Sequence, residues 1–141
     1  MGFNYDITER KQAEEILTNE RNLLRTLIDN LPDIVYAKDV ESRFILKNIV
    51  DARRMGAASV EETIGKTDFD YYPPEIAAQY HADDQTVFKS GQAIINREEP
   101  IFDAAGRAGW MATTKVPLRD SQGKLIGLVG IGHDITVRKQ A

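Results

Sequence analysis

The sequence contains no cysteine, and this absence removes several kinds of chemistry. Disulfide bonds, thiolate metal ligands, a thiol nucleophile and a covalent flavin–cysteinyl adduct all need a sulfur atom that the chain does not have. A chain without cysteine suits a reducing compartment, so we expect a cytoplasmic location. This expectation also allows for a parent protein that is anchored in a membrane elsewhere.

Long apolar runs, basic clusters and enzyme signatures are missing as well. No stretch approaches the roughly 18 consecutive apolar residues of a membrane span, so we expect no direct membrane contact. The net charge is −4, from 18 basic and 22 acidic residues without a basic block, so nucleic acid is not an expected partner. There is no nucleophile–base pair, glycine-rich phosphate loop or metal signature, so we expect a module without catalytic activity.

The two ends of the chain are nearly the same. The segment GFNYDITERKQA (2–13) matches GIGHDITVRKQA (130–141) at eight of twelve positions. A repeat of this period is the size of a whole domain, which is far longer than a solenoid repeat. We interpret the first copy as the end of a preceding domain in a tandem array, and the second as the end of this domain. The alternative is one helix-start sequence used twice.

Both copies have the pattern of a strand-to-helix junction. Asp and Thr are good N-cap residues, and Asp6 and Glu9 have the spacing of a capping box. From Thr8 onward the pattern is helical until Pro32, which restricts the preceding residue. Three leucines recur every seven residues in this helix: Leu17, Leu24 and Leu31. This spacing predicts a dimerising linker helix, and the alternative is an amphipathic helix packed on its own domain.

From Ile34 onward the sequence predicts strands joined by three similar turns. DVESR (39–43), DAAGR (103–107) and DSQGK (120–124) each begin with Asp and end with Arg or Lys. Asp favours the first position of a type I turn, and Gly supplies the left-handed residue that closes a bulged hairpin. Short helices are predicted over 48–56 and 59–63, and a longer one over 72–91. The predicted order is therefore two strands, helices and three strands, and this order gives an antiparallel sheet.

The last two strands carry further expectations. Both faces of the last strand, 124–134, are largely apolar, so its outer face needs a cover such as the linker helix or a partner subunit. In the strand over 107–118, alternation favours one inward face, made of Trp110, Ala112, Thr114 and Val116.

This layout resembles the PAS family of sensory domains. The resemblance is carried by LIDNLPDIVYAKD (27–39), IGKTDFDYYPPEIAAQYHADDQTVFKSG (64–91) and TTKVPLRDSQGKLIGLVGIGHDIT (113–136). It implies an α+β fold with a five-stranded antiparallel sheet in the order 2-1-5-4-3, helices on one face and often a small cavity. It also implies flanking helices that form parallel dimers, and a signal junction at Asp134 and Thr136. The implied division is a preceding-repeat end and linker helix (1–31), a PAS domain (32–136) and an outgoing helix (137–141).

Aromatic residues are the main candidates for a small-molecule pocket. With one threonine hydroxyl, the candidate set is Tyr36, Phe44, Phe69, Tyr72, Tyr80, Trp110 and Thr114. The alternative is that these rings simply fill the core.

Two cofactor hypotheses have less support. His81 on the long helix is the candidate haem ligand, but its neighbours are polar. The carboxylates of Asp68, Asp70, Asp83 and Asp84 are interpreted as caps and helix-surface groups, so no metal site is expected. The sequence requires no cofactor.

The resemblance predicts a sensory and dimerisation module of a multidomain bacterial signalling protein, such as a histidine kinase or diguanylate cyclase. Its expected partners are a second copy, bound through the N-terminal helix and the outer sheet face, adjacent PAS and output domains, and a small-molecule ligand. The alternatives are a haem- or flavin-bound gas or redox sensor, and a structural spacer without a ligand.

Overall fold

The computed structural model describes residues 2–141, with side chains from residue 7 onward. The chain divides into two compact units, one up to Leu31 and one comprising Pro32–Ala141. The first unit contains α1 (Gly2–Asn30). The second contains, in chain order, β1 (Ile34–Asp39), β2 (Phe44–Lys47), α2 (Ile49–Met55), α3 (Val60–Thr63), a 3-10 turn (Asp68–Asp70), α4 (Pro74–Ser90), β3 (Ile94–Phe102), β4 (Ala108–Arg119), β5 (Leu125–Asp134) and α5 (Thr136–Gln140).

The five strands form one antiparallel sheet in the order β2-β1-β5-β4-β3, which confirms the predicted topology. α2 packs on β1, and α4 packs on β4 and β5. The hydrophobic core lies between these helices and the sheet, and its buried cluster is Tyr36, Phe44, Met55, Val87 and Leu128. Among the residues that the structure describes, no helix has both the length and the apolar character needed to cross a membrane.

The three predicted hairpin turns share one geometry. In each, the Oδ1 atom of the leading aspartate accepts hydrogen bonds from the backbone N–H groups two and four residues later. The fourth residue of each turn has a positive φ: 62° at Ser42, 79° at Gly106 and 83° at Gly123. The aspartate therefore fixes each turn by satisfying backbone donors that the hairpin leaves open.

The first copy of the terminal repeat does not form the predicted junction. α1 runs continuously from Gly2, so the prediction that a helix begins near Asp6 is wrong. The side chain of Asp6 lies outside the described residues. In the second copy β5 ends at Asp134 and α5 begins at Thr136, where the Trp110 backbone bonds to the Ile135 N–H and to the Thr136 hydroxyl and so holds the bend. Since those bonds come from β4, the repeated letters alone do not determine the bend.

Candidate functional site

The interior of the domain contains a network of ion pairs. The Lys38 ammonium, from β1, donates to Asp68 Oδ2 at 2.6 Å and to Asp84 Oδ2 at 2.8 Å. Lys115, from β4, donates to the other oxygen of Asp84 at 3.0 Å. Asp84 is fully buried, and both lysines are at most 3% exposed. One helix carboxylate thus bridges two lysines that enter from opposite sides of β5.

A second buried pair lies beside this network. Lys47 Nζ, at the end of β2, lies 2.5 Å from Asp51 Oδ2 in the first turn of α2. The same ammonium lies 3.7 Å from the centre of the Phe44 ring and 5.5 Å from that of Tyr36. The aromatic faces therefore stabilise a cation that has been removed from water.

The charge states of the first network follow from its geometry. Burial lowers the pKa of Lys38, but the carboxylates of Asp68 and Asp84 outweigh burial and leave it above its ordinary value. Burial also raises the pKa of Asp84, but Lys38 and Lys115 outweigh it and leave that pKa below its ordinary value. Both members of this pair are therefore ionised at neutral pH.

Burial has the larger effect on the second pair. It lowers the pKa of Lys47, and the attraction of Asp51 offsets only part of this change. It likewise raises the pKa of Asp51 against the opposing effect of Lys47. The two pairs therefore differ: the interior favours the charged forms of the first more strongly than those of the second.

A cavity of about 60 Å³ lies between the ion pairs and the sheet. Its apolar wall includes Ile34, Met55, Ile101, Phe102 and Met111. Its polar wall includes Lys38, Lys47, Asp51, Arg54, Asp68, Glu99, Thr113 and Lys115. A buried space with convergent polar groups and aromatic walls has the character of a small-molecule site.

The structure brings together four of the seven predicted pocket residues. Tyr36, Phe44, Tyr72 and Tyr80 line the cavity, and Tyr36 and Phe44 also belong to the hydrophobic core. These two rings therefore line the cavity and also fill part of the core. The ring of Tyr72 meets that of Tyr80 edge-on, with 5.3 Å between their centres.

Phe69, Trp110 and Thr114 were predicted in the pocket and lie outside it. Phe69 is 51% exposed and Trp110 is 37% exposed, and Thr114 Oγ1 accepts a hydrogen bond from the backbone of Asn96 at the sheet edge. The predicted inward face of β4 is wrong, because the buried residues of this strand are Met111, Thr113 and Lys115. Alternation of hydrophobicity misidentified the face since the inward position holds a lysine, which is buried with Asp84 as its partner.

The other candidate side chains lie in different environments. His81 is absent from the cavity wall and contacts the Phe69 ring, with 6.1 Å between ring centres. Together with the small cavity, this position does not fit an axial haem ligand. Asp70 caps the 3-10 turn as expected, but Asp68 is engaged with Lys38. Asp83 lies on the other side of α4 from Asp84 and pairs with Arg97 at 2.6 Å.

The glycine at position 130 makes room for an aromatic wall of the cavity. A Cβ atom built on Gly130 would lie 2.1 Å from Cζ of Tyr36, so the ring lies directly over the β5 backbone. Gly132, which lines the cavity, is overlain in the same way by Ile34 and Met111. The glycines of β5 thus allow large side chains from neighbouring strands to pack flat on it.

The exit junction is held by β3, β4 and α2. The Ile135 backbone donates to the Trp110 carbonyl at 2.9 Å, and the Trp110 backbone N–H donates to Thr136 Oγ1 at 3.0 Å. Asp134 Oδ1 accepts from the Thr136 backbone at 2.9 Å, and Asp134 Oδ2 lies 3.8 Å from Arg54 Nη1. The start of α5 is therefore held by Trp110, which lies outside the cavity, and lies near Arg54, which lines it.

A further pair of contacts fixes the end of the chain. Glu98 of β3 pairs with Arg138 at 2.8 Å and with Lys139 at 2.5 Å. The Lys139 ammonium also lies 5.0 Å from the centre of the Trp110 ring. The Trp110 ring therefore contacts the outgoing helix α5 and does not line the cavity.

The three leucines that were predicted to form the dimer linker all belong to the first unit, and all three are exposed. Leu17 is 57% exposed, Leu24 is 46% exposed and Leu31 is 45% exposed. Leu23 and Leu27 are similarly exposed. α1 therefore carries several exposed apolar side chains.

The order of the sheet and the helices packed on it define a five-stranded antiparallel α+β domain. A family model described as the PAS fold matches residues 28–140, and the chain belongs to the PAS family. It is a PAS domain homologous to the sensor domains of histidine kinases and diguanylate cyclases.

Three relatives illustrate this. The chain is similar to the methanogenesis regulatory histidine kinase FilI of Methanothrix harundinacea, with 33% identity over 83% of this chain and 13% of that protein. It is 31% identical to the aerobic respiration control sensor protein ArcB of Escherichia coli, over 86% of this chain and 15% of ArcB. It is 27% identical to a diguanylate cyclase of Vibrio cholerae, over 91% of this chain and 40% of the cyclase. The chain thus spans less than half the length of each.

Two solved structures are similar to it. VqmA bound to DPO has a TM-score of 0.70 and 31% identity, covering 77% of this chain and 55% of that chain. The PAS domain of Bordetella pertussis BvgS has a TM-score of 0.67 and 28% identity, covering 86% of this chain and 90% of that chain.

Proposed function

We propose that this domain senses a small molecule in its interior cavity and relays the bound state through the Asp134–Thr136 junction to an output domain. One observation carries this proposal. Met111, which lines the cavity, is paired in register with Asp134 of the junction, and the adjacent Trp110 bonds to Thr136. A displacement of β4 by a ligand would therefore act directly on the first turn of α5.

The relatives support the setting of this proposal. This chain matches a part of a regulatory histidine kinase, of a respiration control sensor protein and of a diguanylate cyclase. VqmA, a solved structure of similar fold, is described with DPO bound. DPO is therefore the first compound to test on this chain.

The proposal predicts that ligand binding is felt at the junction. In ¹⁵N-labelled protein, saturating DPO or another cavity ligand should shift the backbone amide resonances of Trp110 and Thr136, whereas the Gly123 amide in a distant turn serves as control. Binding that leaves the junction resonances unmoved would contradict the relay. Failure of DPO and of a small-molecule library to raise the thermal stability would favour the spacer function instead.

We further propose that α1 pairs two copies of the chain through its exposed leucines. Light scattering should give the mass of a dimer, and deletion of residues 1–23 should give a monomer. Replacing Leu17 and Leu24 by Lys should weaken the dimer, while the matched control, Thr18→Lys with Asn22→Lys, should keep it. A monomer at high concentration that this deletion leaves unchanged would contradict the pairing.

A further inference from the structure

Arg54 of α2 lies between the cavity and the exit junction. It lines the cavity, and its Nη1 atom lies 3.8 Å from Asp134 Oδ2. The Arg54 side chain is 19% exposed and that of Asp134 is 57% exposed. An ion pair at this distance and exposure contributes little free energy, so it holds the guanidinium weakly.

Arg54 differs from the other cations of the cavity wall because its ion pair lies at the junction, outside that wall. Three lysines and three aspartates are joined to one another in the interior: Lys38, Lys47, Lys115, Asp51, Asp68 and Asp84. Glu99 accepts from Thr113 at 2.8 Å and pairs at 3.1 Å with Arg97, which also pairs with Asp83 at 2.6 Å. Arg54 is the cavity cation whose carboxylate partner lies at the junction, outside the cavity wall. An anionic group inside the cavity would therefore offer Arg54 a second partner.

Two other hydrogen-bond donors, Lys115 and Tyr80, line the same cavity as Arg54. Among the residues that the structure describes, Asp84 Oδ1 is the one acceptor within hydrogen-bond distance of the Lys115 ammonium, which carries three N–H groups. Burial raises the pKa of Tyr80 to about 12, the carboxylates of Asp68 and Glu99 add to the rise, and the positive charges of Arg54 and Lys115 oppose it. The side chains of Arg54, Lys115 and Tyr80 all line the cavity.

The size of the cavity limits what can bind. A volume of about 60 Å³ holds roughly four to six water-sized groups. The apolar wall, with Ile101 and Met111, can receive a short hydrocarbon portion. A small molecule with one acceptor-rich end and one apolar end matches this division.

We propose that the cavity binds a small organic monocarboxylate through Arg54, Lys115 and Tyr80, and that the bound carboxylate competes with Asp134 for Arg54. This inference rests on the proposed sensory function and names its ligand class and its switch. Occupancy would release Asp134, and thereby loosen the junction at the start of α5. Because linkage is reciprocal, weakening the Arg54–Asp134 pair must tighten binding of the carboxylate.

The ligand class is tested by calorimetry on the whole chain with propionate, with the neutral analogue propionamide, and with DPO. Propionate should bind about tenfold more tightly than propionamide, because hydrogen bonds to charged groups are stronger than neutral ones. Arg54→Gln should remove this preference, and the adjacent exposed Arg53→Gln should keep it.

The competition is tested with Asp134→Asn, which keeps an oxygen for the Thr136 N–H but removes the charge. Propionate should bind this variant about two- to fivefold more tightly, and the surface control Glu75→Gln should leave its affinity unchanged. Since Asp134 is exposed, this test stands even if an Arg54 variant does not fold.

The outcomes separate the two proposals. Equal affinity for propionate and propionamide, or binding of DPO alone, would overturn the monocarboxylate assignment while leaving a ligand-binding cavity. An unchanged propionate affinity in Asp134→Asn would overturn the competition. If none of the three compounds, nor a broader library, binds the cavity, the proposed sensory function fails and this inference fails with it.

Discussion

Lys115 of β4 and Asp84 of α4 form an ion pair inside the domain, with 3.0 Å between Lys115 Nζ and Asp84 Oδ1. The second oxygen of Asp84 accepts from Lys38 of β1 at 2.8 Å. Because β1 and β4 lie on either side of β5, this carboxylate joins α4 to two strands that are not neighbours. The pair therefore sets the position of the long helix on the sheet.

Asp84→Asn should lower the free energy of unfolding by about 3–5 kcal/mol, because two buried ammonium groups lose their shared counter-charge. Urea denaturation followed by circular dichroism measures this change. The matched control is Asp83→Asn, whose partner Arg97 is partly exposed. We expect this control to cost about 1 kcal/mol or less. Equal losses in the two variants would contradict the role given to Asp84.

Ser42→Gly should stabilise the domain. Ser42 has φ 62° in the turn where the two sibling hairpins have glycine, and its buried hydroxyl has no hydrogen-bond partner among the described residues. Replacing a left-handed non-glycine residue by glycine raises the unfolding free energy by about 1–2 kcal/mol. The greater flexibility of glycine in the unfolded chain lowers it by about 0.5–1 kcal/mol. A net gain of about 0.5–1 kcal/mol in unfolding free energy is expected.

The reverse substitution, Gly123→Ser, isolates the conformational part of this effect. No atom lies within 4 Å of a Cβ built at Gly123, so the added side chain meets no steric obstacle. It should destabilise the domain through its φ of 83° alone. A stability loss in Ser42→Gly, or none in Gly123→Ser, would show that the backbone angle is not the controlling factor.

Tyr80→Phe should alter the alkaline limb of the stability curve. The folded pKa of Tyr80 is raised to about 12, while the unfolded phenol ionises near its ordinary value of about 10. The unfolded chain therefore loses this proton first, so its contribution to stability is complete below pH of about 10 and declines as pH rises toward 12.

Unfolding free energies measured between these pH values test the effect. Removing the hydroxyl should make the slope of unfolding free energy against pH shallower, by the equivalent of up to about one proton. Lysine titration is common to both proteins and therefore cancels in the comparison. Parallel curves for the wild type and Tyr80→Phe would contradict a raised pKa at this position.

The parts of the fold that depend on local sequence could be predicted. The three turns followed from an aspartate and a residue three positions later that takes the left-handed conformation, and the sheet order followed from the PAS resemblance. The first strand was predicted to begin at Ile34, where β1 begins in the structure. Each of these features is specified within a few residues or by a motif.

The charged interior could not be predicted in the same way. Lys38 and Asp84 are 46 residues apart, and Lys115 and Asp84 are 31 apart, so their pairing is a property of the tertiary structure. Reading lysine as a surface residue placed the wrong face of β4 inward. One sequence signal for buried lysines was available: Lys38 and Lys47 lie close to aromatic residues in two short strands. The alternation of hydrophobicity does not take this proximity into account.

Gly130→Ala should destabilise the domain through Tyr36. The φ angle of Gly130 is not in the left-handed region, so alanine is acceptable to the backbone. Its Cβ, however, would lie 2.1 Å from Cζ of Tyr36, and the ring would have to move into the cavity. We expect a loss of about 1–3 kcal/mol in unfolding free energy, which is typical of overpacking.

A double-mutant cycle separates this contact from any general effect on β5. Tyr36→Ala alone should cost about 3–5 kcal/mol, because it removes a ring from the core. In that background Gly130→Ala should cost almost nothing, since the obstructing ring is gone and alanine is a better strand residue than glycine. The two substitutions should therefore be strongly non-additive, with a double mutant more stable than the sum of the single losses predicts. Additive losses would mean that the glycine is required for the strand itself and not for the aromatic wall that rests on it.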